Sequence, residues 1–322
     1  MNATREQRVE RAFFLGAKLT LENPAYRHAV RTLTEALSDA DSDSADLTVK
    51  ALGISSRHAC AVIVARQPGV AAGLQEFGSM LEGSGLSLTF HKRDGDAIQP
   101  GDALLHMEGE EAKLLSLERV GLNLLQRMCG IATAARRLQQ RASKYSAVRI
   151  VGTRKTPWGL LDKRALHVGG CGTHRLGLGD AILIKNNHLA LFAGREEDAA
   201  PPAIERAWEF RNESVFIQVE VRGKEAARAA GQTFRRLREA ASAGGDGDYP
   251  CLLMLDNVAP GGIADILEML RAENLWEHVL VEASGGISDA TLDGYAATGV
   301  DAISIGALTH SVRALDLGQK IS

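Results

Sequence analysis

Nowhere in the chain is there a run of the roughly 18 apolar residues that a membrane-crossing helix needs. Charge of one sign is missing too. Against 40 Asp and Glu stand 37 Lys and Arg, a net charge of −3, so no polycationic surface is available to hold nucleic acid. The four cysteines, Cys60, Cys129, Cys171 and Cys251, are widely scattered with no CxxC pair. That spacing argues against a zinc site or a disulfide framework and fits a reducing cytoplasm. HExxH and Gly-x-Ser-x-Gly are absent, so hydrolysis through a zincin site or a nucleophile elbow finds no support. The first residues mix Arg5, Glu6, Arg8, Glu10 and Arg11 ahead of a short apolar patch, Phe13 to Leu15, which is unlike a signal peptide.

What is present is an ordinary globular composition, 45% apolar and 24% charged, over 322 residues. That length accommodates two domains. Ala25 to Ser38 has apolar residues at helical spacing, with Pro24 at its start. An Asp/Ser-rich loop is expected from Ser38 to Asp46. Ala59–Ala65 and Leu86–His91 read as strands, and turn chemistry from Asp94 to Asp102 surrounds another strand pair. This first region reads as an α+β domain with a mostly antiparallel sheet. Leu114 to Gly130 is expected as one helix, apolar nearly all round and therefore buried in a core or at a subunit interface, with Arg119 and Arg127 inside it. From Arg149 onward, short apolar runs end abruptly at Arg154-Lys155, Lys185, Glu220, Asp256, Glu282 and Gly306, with helical stretches between. Six such units predict a closed or nearly closed α/β barrel, with its active site at the C-terminal strand ends. Ala240 to Asp248, rich in Ala, Gly and Asp, is expected as an exposed loop.

The polar strand ends fall into three chemical groups. Arg154, Lys155, His174, Arg175 and Lys185 are cationic, and together they call for a polyanionic ligand. Taken singly, each could be a surface charge or pair with a nearby acid. Glu220 and Asp256 are carboxylates able to hold sugar hydroxyls or Mg²⁺, or to stabilise a developing cation. The competing reading is a pair of structural salt bridges. Ser284-Gly285-Gly286 and Ser304-Ile305-Gly306 follow the last two strands, the usual phosphate site of barrels. His188 and His310 are open between a role in the pocket and a structural one.

In this order the motifs resemble the quinolinate phosphoribosyltransferases. They are Thr153-Arg154-Lys155-Thr156, Gly169-Gly170 leading to His174-Arg175, Leu183-Ile184-Lys185 and Asn187-His188-Leu189. Val219-Glu220, Met254-Leu255-Asp256-Asn257, Glu282-Ala283-Ser284-Gly285-Gly286 and Leu308-Thr309-His310-Ser311 continue the match. Pro68-Gly69-Val70, Asp94-Gly95-Asp96, Glu118-Arg119 and Gly130-Ile131-Ala132-Thr133 extend it through the N-terminal half. The resemblance implies an N-terminal α/β sandwich, residues 1–117 with 309–322 packing back on it, and an incomplete α/β barrel, residues 118–308. It implies a cytoplasmic homodimer in which Arg119 of one subunit enters the pocket of the other. Quinolinate and phosphoribosyl pyrophosphate are the implied substrates, with Mg²⁺ carried by the latter near Glu220 and Asp256. Thr153, Arg154, Lys155, His174, Arg175 and Lys185 would bind substrate, and Ser284, Gly285, Gly286, Ser304 and Gly306 phosphate. Lys155, Glu220 and Asp256 would be catalytic. The chain departs from the family pattern at Cys171 (Gly), Thr173 (Asn), Asn186 (Asp) and Pro157-Trp158-Gly159. The alternatives are a related phosphoribosyltransferase acting on another base and a catalytically silent paralogue.

Overall fold

The computed structural model describes residues 3–42, 46–54, 57–192, 194–242 and 248–322. Two compact units emerge, neither continuous in sequence. One comprises Gly16–Arg137, Thr156–Gly170 and Leu308–Ser322, the other Met1–Leu15, Leu138–Lys155 and Cys171–Ala307. The division differs from a single cut between residues 117 and 118, because it runs through the helix Glu118–Ala142 and assigns the first fifteen residues to the second unit.

The sandwich unit carries β1 (His58–Ala65), β2 (Gly69–Val70), β3 (Ser87–Phe90), β4 (Ala97–Ile98) and β5 (Ala103–Glu110). The C-terminal strand Leu317–Ile321, β1, β5 and β3 form, in that order, an antiparallel sheet, while β2 and β4 pair separately. Along β1 the alternation of the sequence becomes alternation of burial, with Ala61, Ile63 and Ala65 inside. The first long helix, Pro24–Ser42, runs through Ser38 to Ser42, so the predicted loop there is shorter, and its residues 43–45 lie outside the described residues. Asp46 then caps the helix Leu47–Ala51 by accepting from the Thr48 and Val49 amides at 2.8 and 3.0 Å. The expected single helix at Leu114–Gly130 is two, Glu111–Ser116 and Glu118–Ala142, parted at Leu117. Val120, Leu122, Leu124, Leu125 and Met128 are buried, and Arg119 is exposed in the single chain. Arg127 does face inward, onto Asp162.

The barrel unit carries β6 (Arg149–Val151), β7 (Ile182–Ile184), β8 (Ile217–Val221), β9 (Cys251–Asp256), β10 (Leu280–Ser284) and β11 (Ala302–Ser304). All pair in parallel, in the order β6-β11-β10-β9-β8-β7. The barrel is therefore open between β6 and β7. Gly172 partly fills the gap: its N–H donates to Ile150 O and its carbonyl accepts from the Gly152 N–H, both at 2.9 Å. Strands covered on both faces need apolar side chains on both, which is why β8 to β10 read as near-continuous apolar runs. Helices Glu196–Trp208, Lys224–Ser242 and Pro260–Ala272 supply outer cover. Ala240–Ser242 end a helix, against the loop expected from Ala240; residues 243–247 of that stretch lie outside the described residues.

The mixed-charge N-terminus is the helix Arg5–Phe13, opened by a capping box between Thr4 and Gln7. Its Val9, Ala12 and Phe13 pack with Val151, Ala181, Phe216, Leu252, Leu280 and Ala302. Each of those six belongs to one barrel strand or immediately precedes it, so the helix plugs the barrel interior from the end where most strands begin. Arg5 locks the plug with a bidentate pair to Asp301 at 2.7 and 2.6 Å while stacking on Trp276. The sequence reading put these residues in the first domain. Their apolar positions are too few to reveal which core they join.

Candidate active site

At the opposite, C-terminal ends of the strands lies a cavity of about 460 Å³ within the barrel unit. It brings together Thr153, Arg154 and Lys155 after β6, His174 and Arg175 from the gap segment, Lys185 after β7, Glu220 on β8 and Asp256 on β9. Ser284, Gly285 and Gly286 after β10 and Ser304 on β11 complete the predicted set. Arg119 and Gly306 are not among its lining residues. Glu282 is, together with Gly152 and Asn257, and the sequence reading had not placed these three in the site. Glu282 had a signal, a lone charge inside an apolar strand. Gly152 and Asn257 had none beyond adjacency to a strand end.

The cations differ in their surroundings. Arg154, Lys155 and Lys185 are exposed at the rim. Arg175 is buried, and its Nη1 donates to the Ala181 carbonyl at 3.0 Å. Burial, and next the charge of Arg154, push its guanidinium down from the usual range, with Asp180 opposing. A buried guanidinium whose charge is disfavoured by its surroundings makes an anion-hungry pocket. His174 was expected as part of this cationic set. Instead both of its ring nitrogens are occupied within the protein, Nδ1 by the Arg175 N–H at 2.8 Å and Nε2 by Glu282 at 3.2 Å. His188 Nδ1 accepts from the Lys185 N–H at 2.9 Å, a local turn contact, and His310 Nδ1 meets Ser311 Oγ at 2.7 Å outside the cavity lining.

Glu220 Oε2 accepts from the Asn186 N–H at 3.0 Å, a bond that does not depend on the side chain at 186. In the amide orientation that satisfies both atoms, Asn186 accepts from Arg222 at 2.6 and 2.9 Å and donates to Glu196 at 2.9 Å. Arg222 also lies 3.7 Å from Asp256, so one arginine that sequence reasoning missed braces the loops behind both carboxylates. Among the described residues no group of three or more His, Cys, Asp or Glu side chains converges to hold a metal ion. Glu220 and Asp256 nevertheless fit Mg²⁺, which keeps waters and commonly takes one or two carboxylates plus phosphate oxygens.

Beyond the carboxylates the chain turns at Gly285 (φ 92°) and Gly286 (φ 60°). A Cβ at Gly285 would run into the side chain and backbone nitrogen of Asn257, itself left-handed at φ 58°. Such a turn, with Ser304 Oγ donating to Ser284 Oγ at 2.8 Å beside it, suits close approach of phosphate oxygens to backbone N–H groups.

Comparison with known proteins follows the same lines. The family model "Quinolinate phosphoribosyl transferase, C-terminal domain" matches residues 131–320, and the N-terminal domain model of that family matches 46–129. The probable nicotinate-nucleotide pyrophosphorylase (carboxylating) of Methanothermobacter thermautotrophicus is 37% identical over 285 residues, 88% of this chain and 95% of that protein. The corresponding Mycobacterium leprae protein is 36% identical over 281 residues, 85% and 90% of the two chains. The solved NadC from Streptococcus pyogenes superposes with a TM-score of 0.77 at 27% identity, covering 92% of this chain and 97% of that one. The nicotinate-nucleotide pyrophosphorylase from Francisella tularensis gives 0.76 at 25% identity, covering 92% and 96%.

Proposed function

The chain belongs to the quinolinate phosphoribosyltransferase family, and from that premise we propose that it joins quinolinate to phosphoribosyl pyrophosphate, releasing nicotinate mononucleotide, pyrophosphate and CO₂ for NAD biosynthesis. The observation that carries this reading is the convergence of Arg154, Lys155, Arg175 and Lys185 on one cavity that also holds Glu220, Asp256 and a glycine turn. A dianionic pyridine base and a diphosphate sugar need those three chemistries side by side.

In this reading Arg154, Arg175 and Lys185 hold the two carboxylates of quinolinate and aim its ring nitrogen at the ribose. Lys155 faces the diphosphate, and the Ser284-Gly285-Gly286 turn with Ser304 takes the 5′-phosphate. Glu220 and Asp256 secure the ribose hydroxyls and favour the positive charge that grows on the sugar as the bond to pyrophosphate breaks. The same two carboxylates would hold Mg²⁺ arriving with phosphoribosyl pyrophosphate, which when bound supplies positive charge to the diphosphate. The nitrogen lone pair forms the new bond to ribose, and the ring becomes a pyridinium. Loss of the 2-carboxylate as CO₂ leaves its electron pair on carbon beside that cationic nitrogen, where a proton then adds. The working unit in this proposal is a cytoplasmic homodimer, with Arg119 of a second copy reaching the quinolinate carboxylates.

The test is quinolinate-dependent CO₂ release with phosphoribosyl pyrophosphate and Mg²⁺, with nicotinate offered as competing base. Turnover is expected with quinolinate and at most trace nucleotide with nicotinate, since a missing carboxylate leaves cationic donors unpaired. Comparable turnover of the two bases would refute it.

A further inference from the structure

Glu282 is wholly buried beneath the cavity, and the chemistry above leaves it without a task. Its Oε2 accepts from Gln218 Nε2 at 2.7 Å, and Gln218 is itself fully buried on β8. The same oxygen lies 3.2 Å from His174 Nε2. On the far side of that ring, Nδ1 accepts from the Arg175 N–H at 2.8 Å. A ring nitrogen that accepts a hydrogen bond carries no proton, so the proton of His174 is on Nε2 and is donated to Glu282. The Phe13 and Phe216 rings pack against the imidazole with centroids 5.4 and 5.3 Å away. The Phe13 carbonyl takes the His174 N–H at 3.1 Å. His174 is thereby held from every side in a left-handed backbone, φ 54°, that a bulky residue adopts only where its surroundings impose it.

We propose that Glu282 is a positioning residue: acting through His174, it fixes the turn from which the Arg175 guanidinium enters the substrate cavity, and His174 itself offers no free cation to the substrate. The proposal rests on the reading of this cavity as the quinolinate site. Its logic is that of a metal-ligand or triad histidine whose partner sets tautomer and ring orientation, here turned to the support of a neighbouring arginine. Burial alone would push the Glu282 carboxyl up. The His174 and Gln218 donors outweigh that penalty and hold it below the usual range.

Two measurements test this. Nitrogen-15 NMR of histidine-labelled enzyme at neutral pH, with the signal assigned by its loss in His174→Gln, should show His174 protonated on Nε2 and bare on Nδ1. In steady-state kinetics Glu282→Ala should raise KM for quinolinate about tenfold or more, the cost of unpairing a buried donor, and leave KM for phosphoribosyl pyrophosphate within about twofold. Glu282→Gln keeps an acceptor oxygen and should restore quinolinate KM to within about threefold of wild type. A His174 protonated on Nδ1, or equal rises in both KM values, or no difference between the Ala and Gln variants, would overturn the proposal. If Glu282→Ala does not fold, the wild-type tautomer and the Gln variant decide it. Failure of the wild type to use quinolinate strikes the functional reading instead, and the NMR result then judges the clamp alone.

Discussion

Arg127→Ala should be among the most damaging single changes in the sandwich unit. The guanidinium donates to both oxygens of Asp162, at 2.8 and 2.7 Å, and to the Thr309 carbonyl at 2.9 Å. Asp162 is completely buried, whereas the Arg127 side chain keeps 19% exposure. Removing the arginine leaves a fully buried carboxylate with, among the described residues, the Thr156 hydroxyl as its remaining side-chain donor. Breaking a buried pair in this way costs about 3–5 kcal/mol, most of it the penalty of the stranded charge. The asymmetry of exposure makes a further demand. Replacing both partners with apolar side chains, Arg127→Met with Asp162→Leu, removes the charge that would be stranded and should recover more than about 2 kcal/mol of the loss. Urea unfolding followed by circular dichroism gives both numbers. A loss below about 1 kcal/mol for Arg127→Ala, or a double variant no better than the single one, would refute the reasoning. Thr156 directly follows Lys155, and its hydroxyl also takes the Gly159 N–H at 3.1 Å, so activity should fall in the single variant before stability fails.

Gly285→Ala should raise KM for phosphoribosyl pyrophosphate by about tenfold, since a Cβ meets Asn257 and the backbone is left-handed, a strain of about 1–3 kcal/mol; an unchanged KM would remove the glycine turn from the phosphate site. Arg119→Ala should be folded and nearly inactive with quinolinate, and mixing it with Lys155→Ala under conditions of proven subunit exchange should restore activity; a mixture as inactive as its parents would end the shared-site proposal. Asp94 is buried and its carboxyl is raised from 3.8 to about 6, burial first and then Glu76, against the Leu74 N–H and Arg164. The folded state therefore binds this proton more tightly than the unfolded state. Its contribution is most favourable below about pH 4 and is lost as pH rises toward about 6, a fall of roughly 3 kcal/mol that Asp94→Asn should flatten in a pH series of urea midpoints. An unaltered pH profile in that variant would assign the effect elsewhere.

How much of this was legible beforehand depended on how local each cause is. Apolar runs broken by Lys185, Glu220 and Asp256 mark parallel strands and their polar ends without any tertiary knowledge, because burial on two faces and a cavity at one end leave their trace within a few residues. The glycines of 285–286 are legible for the same reason, since a left-handed backbone restricts the residue type at that position. What covers Arg119 and what pairs with His174 is not legible in the sequence, because the side on which a helix or turn is covered is set by segments far away in the chain. The apolar stripe of Glu118–Ala142 leaves Arg119 exposed in the single chain, and the His174 ring is met by Glu282, more than a hundred residues on.

The sequence by itself determined the order of strands and helices, the identity of the cations, carboxylates and glycines at the strand ends, and the family. Only the tertiary structure decided where the first fifteen residues pack, between which strands the expected incomplete barrel stays open, and which charges are spoken for inside the protein. Strand ends are marked by patterns that repeat along the chain, whereas pairing partners are chosen by proximity in space, and residues as far apart as Arg5 and Asp301 leave no shared pattern for the sequence to display.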